Sequence, residues 1–374
     1  MRRPRTLLFP IMSANALRRL CDEIVDSLAA GDQQRFVAAT RSLATATPQA
    51  APDDVQDVIA QLAGILVTIP LGRGADLARL AGAMTNHGPM PRELLPVLVR
   101  RAIEVMGLAA RFTAFYGTDD DDLPNPDDSA LIQPVMTRLQ DIVAGQVTGT
   151  ALPGMPDPSA SDATARALTE AWFTSNGWVQ PVLYLSQRKD VRASLPERAQ
   201  LLEATEAVAG QLSTAHWLLG LLLVLDDEEV IILHRAAGRG YRVIISGIGD
   251  NFQLHTLLAA SLIGEEQRGM IPGQPPAPAE IAAASEGEVA PPDGIKGNFN
   301  LVDAYGAWIW NEGRPADIPR LDGTRVVVID PPPYERTWNA GRAYPLMRPS
   351  VTVTEILPAA EAARWLSKVK KPSR

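Results

Sequence analysis

Between Trp217 and Ile263 the spacing of apolar residues passes from a continuous run to alternation and then to a helical period, and each change predicts a different element. The run Trp217 to Leu225 is apolar but for Gly220. It falls far short of the roughly 20 residues that span a bilayer, so it predicts a buried helix end or a strand. Glu229 to His234 and Tyr241 to Ser246 are β-branched runs separated by a segment with Gly238 and Gly240, the pattern of a β-hairpin. Gly247-Ile-Gly-Asp250-Asn251 follows as a glycine turn with two N-cap residues, ahead of Phe252, Leu254, Leu257, Leu258 and Leu262 at helical spacing. Strand, glycine turn and helix N-terminus meet here, an arrangement that can hold an anion.

Toward the N-terminus the helical period dominates. Ser13 can cap a helix with inner positions Leu17, Leu20, Ile24 and Leu28, ending at Gly31; Asp32 can cap the next, through Phe36, Val37 and Leu43. Asp53 to Ile69, Arg73 to Met84 and Pro91 to Tyr116 carry the pattern on, punctuated by Pro70, Gly72, Gly88 and Pro89. No motif recurs at fixed period, so a bundle is expected rather than a solenoid. Ala130 to Val147, Ser161 to Phe173 and Pro196 to Leu212 also look helical, with Gln180 to Ser186 as a short extended piece.

Three breaks interrupt the periodic segments. Thr118 to Ser129 is acidic and contains proline, but it lacks the alternating ligands, central Gly and closing Glu of an EF-hand and reads as a solvated linker. Gly149 to Pro158 is a second loop. Gly264 to Gly297 is dense in proline and glycine and predicts a long surface loop, a cover or a module boundary. Beyond it, Asn298-Phe-Asn-Leu301 echoes Asn251-Phe-Gln-Leu254 and predicts a second helix through Val302 to Trp310, with Asn as cap and Phe as staple.

Thr324 to Asp330, opened by Leu321-Asp-Gly323 and closed by three prolines, suits a central strand covered on both faces. Val351 to Ile356 predicts another strand and Pro358 to Lys370 a helix, with a frayed basic end. The expected class is α+β: a helical domain over 1–118, an acidic linker over 119–129, a helical extension over 130–215, and a module over 216–374 with a mostly antiparallel sheet and a Pro/Gly-rich loop at 264–297.

Composition narrows the classes of function. The 374 residues are 46% hydrophobic, ample for a core, and the net charge of −8 makes a nucleic-acid partner unlikely. Cys21 is the only cysteine, which excludes an internal disulfide framework and a multi-cysteine metal site and fits a reducing, cytoplasmic setting. The start MRRPRTLLFPIMSANA has the outline of an export signal. Pro10 interrupts its apolar stretch, however, and Leu17-Arg-Arg-Leu20 opens an ordinary helix, so the expectation is against export. No segment is apolar for long enough to suggest a membrane span.

Candidate chemistry gathers in the C-terminal module. Tyr334 to Arg348, YERTWNAGRAYPLMR, is aromatic and arginine-rich with little apolar periodicity. Arg336, Trp338, Asn339, Arg342 and Tyr344 in it suit a protein partner or a small anionic or aromatic ligand. Gly247, Gly249, Asp250 and Asn251 are the matching candidates in the glycine turn. His255, Asp303, Asp330 and Tyr334 are the groups able to take part in catalysis, and His234, Glu312, Arg314 and Arg348 complete the polar constellation. The four histidines are too dispersed to suggest a metal site by spacing, and no P-loop lysine, His-Glu-x-x-His or Gly-x-Ser-x-Gly is present.

Gly247-Ile-Gly-Asp250-Asn251 after one strand, taken with Asp330-Pro-Pro-Pro-Tyr334 after another, resembles the glycine turn and Asp-Pro-Pro-Tyr element of amino-group methyltransferases that use S-adenosylmethionine. The resemblance implies that Asp330 and Tyr334 meet a target amine at a strand end. Three prolines stand where that family has two, and the strand before Gly247 belongs to a hairpin. The expected function is a non-catalytic binding or scaffold protein, contacted through 334–348 and the helical half. The alternative is a small-molecule-modifying enzyme, methyltransferase-like, with a pocket between the 247–251 turn and the 330–348 segment. The sequence names no other cofactor.

Overall fold

The computed structural model describes residues 14–117, 123–148 and 161–372. The export-like start before Ala14, Thr118 to Asp122 of the acidic break and the loop Gly149 to Pro158 lie outside the described residues. Within them the chain is α+β, with helices through most of the N-terminal half and a mixed sheet after them.

Helices α1 (Ala14–Ala30), α2 (Gln33–Ala46), α3 (Pro52–Thr68), α4 (Leu71–Met84) and α5 (Leu94–Tyr116) fall where the apolar spacing predicts them. Asp32 caps α2, its carboxylate accepting from the N–H of Arg35 at 3.0 Å. After α6 (Ile132–Thr148), α7 (Ser161–Leu185) corrects one expectation, because Gln180 to Leu185 is helical and not extended, the helix running on through Pro181. Packing outweighs the missing N–H. Trp178 is buried and its Nε1 donates to Leu71 O at 3.0 Å, while Pro181 lies so close to Gly82 that a Cβ there would come within 2.8 Å. Phe112 stacks on Tyr116 and on Trp172, with ring centroids 5.0 and 4.9 Å apart. The short helices α8 (Lys189–Ala193) and α9 (Arg198–Glu206) lead to α10 (Ser213–Leu222). Among the described residues no helix is long and apolar enough to cross a membrane.

The chain divides into two compact units, Met1–Ser186 with Val191–Leu219, and Gln187–Asp190 with Gly220–Arg374. The second begins with the hairpin β1 (Glu228–His234) and β2 (Arg239–Ser246) and continues through α11 (Asn251–Leu262), α12 (Pro278–Ser285), β3 (Ile295–Lys296), β4 (Asn300–Asp303), β5 (Arg320–Leu321), β6 (Thr324–Asp330), β7 (Thr337–Trp338), β8 (Ser350–Ile356) and α13 (Ala359–Lys368). The main sheet runs β4-β6-β1-β2-β8, with β5 paired to β6, and β3 and β7 form a separate pair. Every pairing is antiparallel except β1 with β6.

Strand periodicity explains the layers. On one face Val230, Ile232, Tyr241, Val243, Val327 and Ile329 pack with Leu254, Leu258 and Leu262 of α11 and Ala284 of α12. On the other, Ile231, Leu233, Val326 and Val328 pack with Ala362 and Trp365 of α13. The unbroken apolar run of β6 is thus what a strand with two covered faces requires.

Two further expectations are corrected here. Asn298 to Leu301 opens no helix, because Asn300 to Asp303 is β4 and pairs with β6. Leu301 goes into the core on the α11 face and Val302 into the core on the α13 face. The chain then turns at Asp303, whose Oδ1 accepts from the N–H groups of Tyr305 (2.8 Å) and Ala307 (3.0 Å), and at Gly306, which has φ +91°. The 264–297 stretch is not a bare loop either. It contains α12, whose first turn is locked by Glu280 accepting from the Ala277 N–H at 2.6 Å, and β3.

Candidate functional site

Register decides which sequence candidates can cooperate. Glu228 at the start of β1 is opposite Ile245 at the end of β2, so Gly247 leaves the sheet at that end. His234 at the far end of β1 is level with Ile329, so Asp330 leaves β6 at the opposite end. Six residues of strand separate the two levels, roughly 20 Å at the usual rise. The glycine turn and Asp330 therefore cannot face one small ligand, which corrects the methyltransferase-like pocket. Asp330 instead accepts from Arg235 Nε at 3.2 Å, and Arg235 Nη2 also donates to Lys370 O at 3.1 Å. His234, beside it, has its pKa lowered by burial, a fall partly offset by Asp330 and aided by Arg239.

The turn itself is filled. Gly247 has φ +65°, and a Cβ there would meet Arg348 O at 2.5 Å. Gly249 lies under the ring of Tyr344, and its N–H donates to Gln253 Oε1 at 2.8 Å. The N–H groups at the start of α11 are all taken by protein: Asn251 N reaches Asn311 O and Gly313 O, Phe252 N reaches Asn311 O, and Gln253 N reaches Asp250 Oδ1 at 2.8 Å. These bonds occupy the donors that an anion would need, correcting the anion-site expectation for Gly247 to His255. Burial raises the Asp250 carboxyl against the lowering effect of its bonds to Gln253 and Phe252. Burial also pushes the Tyr344 hydroxyl up to about 12, with Arg314 opposing and Asp250 reinforcing.

His255 sits one turn along α11 and is fully buried. Its Nε2 lies 3.0 Å from Phe299 N and 3.1 Å from Phe299 O, so the ring ties α11 to the segment that leads into β4. Trp338 meets it edge-on with centroids 4.9 Å apart, and Arg336 lies over Trp338 and donates from Nη2 to Phe299 O at 2.8 Å. Burial lowers the His255 pKa to about 4, the Phe299 bond resisting and the Arg336 charge assisting. A neutral, enclosed imidazole of this kind holds two segments together. His255 and His234 answer to different charges, Arg336 in one case and Asp330 with Arg239 in the other.

The rest of the aromatic and arginine segment divides into anchors and exposed groups. Arg342 donates from Nη1 to Ser285 O (3.1 Å) and Met347 O (3.0 Å) and from Nη2 to Pro345 O, so it closes the C-terminal end of α12. Tyr344 is buried, Asp303 serves the turn after β4, and Tyr334 (59% exposed) and Asn339 face outward. His255 is thus engaged with Phe299, Asp303 with the turn after β4 and Asp330 with Arg235. Among the described residues no three His, Cys, Asp or Glu side chains gather as a metal ion would require.

What the segment does line is a cleft of about 520 Å³, bounded by Glu280, Asp293, Gly294, Lys296, Glu335, Arg336 and Thr337. Its floor is the β3–β7 pair, where Ile295 is opposite Trp338 and Lys296 opposite Thr337. Glu280 fixes the rim by accepting from Lys296 N at 2.7 Å as well as from Ala277 N. Of these residues, sequence reasoning singled out Arg336 alone. Glu280, Asp293 and Lys296 sit in the stretch read as a loop, and the one available signal was Glu280 placed three residues after Ala277 at a proline-started helix. Comparison with protein-family models, with curated proteins and with solved structures gives no match to this chain.

Proposed function

We propose that this protein is a non-catalytic binding protein and that its partner engages the 334–348 segment at the cleft beside β3 and β7. The observation that carries this reading is the cleft itself, about 520 Å³ and lined by Asp293, Glu335 and Glu280 together with Lys296 and Arg336. Charges of both signs around one opening favour a partner that also carries both, such as a peptide segment with neighbouring acidic and basic side chains. The separation of His255, Asp303 and Asp330 into structural settings supports binding over catalysis. The helical unit would add contact surface of its own, where the hollow lined by Arg79, Asn86, Gln180 and Tyr184 has a volume of about 270 Å³.

A thermal-shift screen of the full chain tests the reading, using mixed-charge peptides, free amino acids, nucleotides and S-adenosylmethionine. The expected result is stabilisation by a mixed-charge ligand that is lost in Lys296→Ala and Glu335→Ala, both at exposed positions. Stabilisation by S-adenosylmethionine that survives both substitutions would overturn it in favour of the enzyme.

A further inference from the structure

The two edges of the main sheet are treated differently. At the β4 edge the chain folds back on itself: Asp303 N donates to Ala307 O and Ile309 N to Leu301 O, both at 2.9 Å, and Val302 bridges Trp308. That edge is closed. At the other edge lies β8, seven residues long, which among the described residues pairs with β2 alone and has Ser350, Thr352, Thr354, Glu355 and Ile356 exposed. It carries no proline and no lysine; its bulge at Thr354 and the charge of Glu355 guard only its C-terminal end and leave Ser350 to Val353 open. Val351 and Val353 are only partly buried against the α11-side core, so their outer flanks are still in water.

The residue pattern of this strand fits one kind of partner. Ser350-Val-Thr-Val-Thr354 reads as hydroxyl, valine, threonine, valine, hydroxyl in both directions about Thr352. An antiparallel copy related by a two-fold axis through Thr352 would set Val351 against Val353 twice on the core face, and Thr352 against its own copy on the opposite face. An axis perpendicular to the sheet also keeps the α11 layers on one side and the α13 layers on the other, so both cores continue across the junction. The register shift between Arg242 and Val243 adds its extra residue at Thr354, where Oγ1 bonds Arg242 O at 3.1 Å, and so leaves Ser350 to Val353 straight.

We propose that β8 is an interaction edge and that its occupant is β8 of a second copy of this chain, in antiparallel register about Thr352. Analytical ultracentrifugation of the full chain over a concentration series tests this. The wild type is expected to dimerise, and Thr352→Lys, which places two ammonium groups face to face at the axis from an exposed position, is expected to raise the dissociation constant at least about tenfold with unchanged circular dichroism. Thr352→Cys provides the second readout. Under mild oxidation it is expected to form a disulfide-linked dimer, since Cys21 is buried with its thiol pushed up to about 12, first by burial and then by Asp22. A wild type that stays monomeric at the highest attainable concentration overturns the proposal, as does a dimer indifferent to Thr352→Lys or one that Thr352→Cys fails to link. A monomer that nonetheless captures an added strand peptide would overturn it too, making β8 a docking edge for another protein.

Discussion

Asn251-Phe-Gln-Leu254 and Asn298-Phe-Asn-Leu301 differ at a single position, yet the first begins α11 and the second enters β4. The helix forms because Asp250, just before the first segment, accepts from Gln253 N, and because Leu254, Leu257, Leu258 and Leu262 continue an apolar stripe. After the second segment the apolar residues alternate instead, Leu301 and Val302 entering opposite cores, and a left-handed glycine at 306 turns the chain back. A capping tetrapeptide therefore only permits a helix; the apolar spacing of the next residues and the strand beside them settle the outcome. The two segments also face each other, since His255 in the turn after the first bonds the backbone of Phe299 in the second.

That facing contact yields the largest expected effect. His255→Ala should destabilise the protein by about 3 kcal/mol in urea unfolding, through a cavity and the loss of the acceptor for Phe299 N–H. The wild type should respond to pH in a matching way. Because the folded pKa of His255 lies below the unfolded value, the unfolded chain binds the extra proton, and stability falls as pH drops from 6.5 toward about 4. The loss amounts to about 3 kcal/mol at most, and His255→Gln should flatten that slope. Asp250, with its raised pKa, acts in the opposite sense: its contribution is present below the usual carboxylate range and lost as pH rises through its folded pKa.

Asp303→Ala comes next, at about 2 kcal/mol, since the N–H groups of Tyr305 and Ala307 lose their acceptor and the turn that ends β4 loosens. Hydrogen exchange should then show faster loss of protection at β4 than at α11. The smallest pair sharpens the comparison most. Asn251 is buried and its Nδ2 donates to Trp310 O at 2.8 Å, while the Oδ1 atoms of Asn251 and Asn298 alike have no partner among the described residues. Asn251→Ala should cost about 1 kcal/mol and Asn298→Ala under about 0.5 in thermal unfolding. Equal losses would mean that the two asparagines do the same job after all.

The helical half was legible because its signals are local. Asp32, Pro70 and the stripe Val55, Val58, Ile59, Leu62 act over one or two turns, and the corresponding helices track them closely. Pro181 misled because its penalty is local, while the compensation, packing on Gly82 and the bond from the nearby Trp178 to Leu71, comes from a distant helix. In the second unit the hairpin and β6 were readable from alternation and apolar continuity. The cleft was not, because Glu280, Lys296 and Glu335 are ordinary surface charges until β3 pairs with β7 and draws them around one opening.

The amino-acid order alone was enough to set the α+β class, the hairpin and the cap at Asp250, since caps, turns and periodicity depend on residues a few positions apart. It could not assign β4, the enclosure of His255 or the distance between the glycine turn and Asp330. Those depend on strand register and on contacts such as His255 to Phe299, separated by 44 residues, whose energy appears only when the chain has closed on itself.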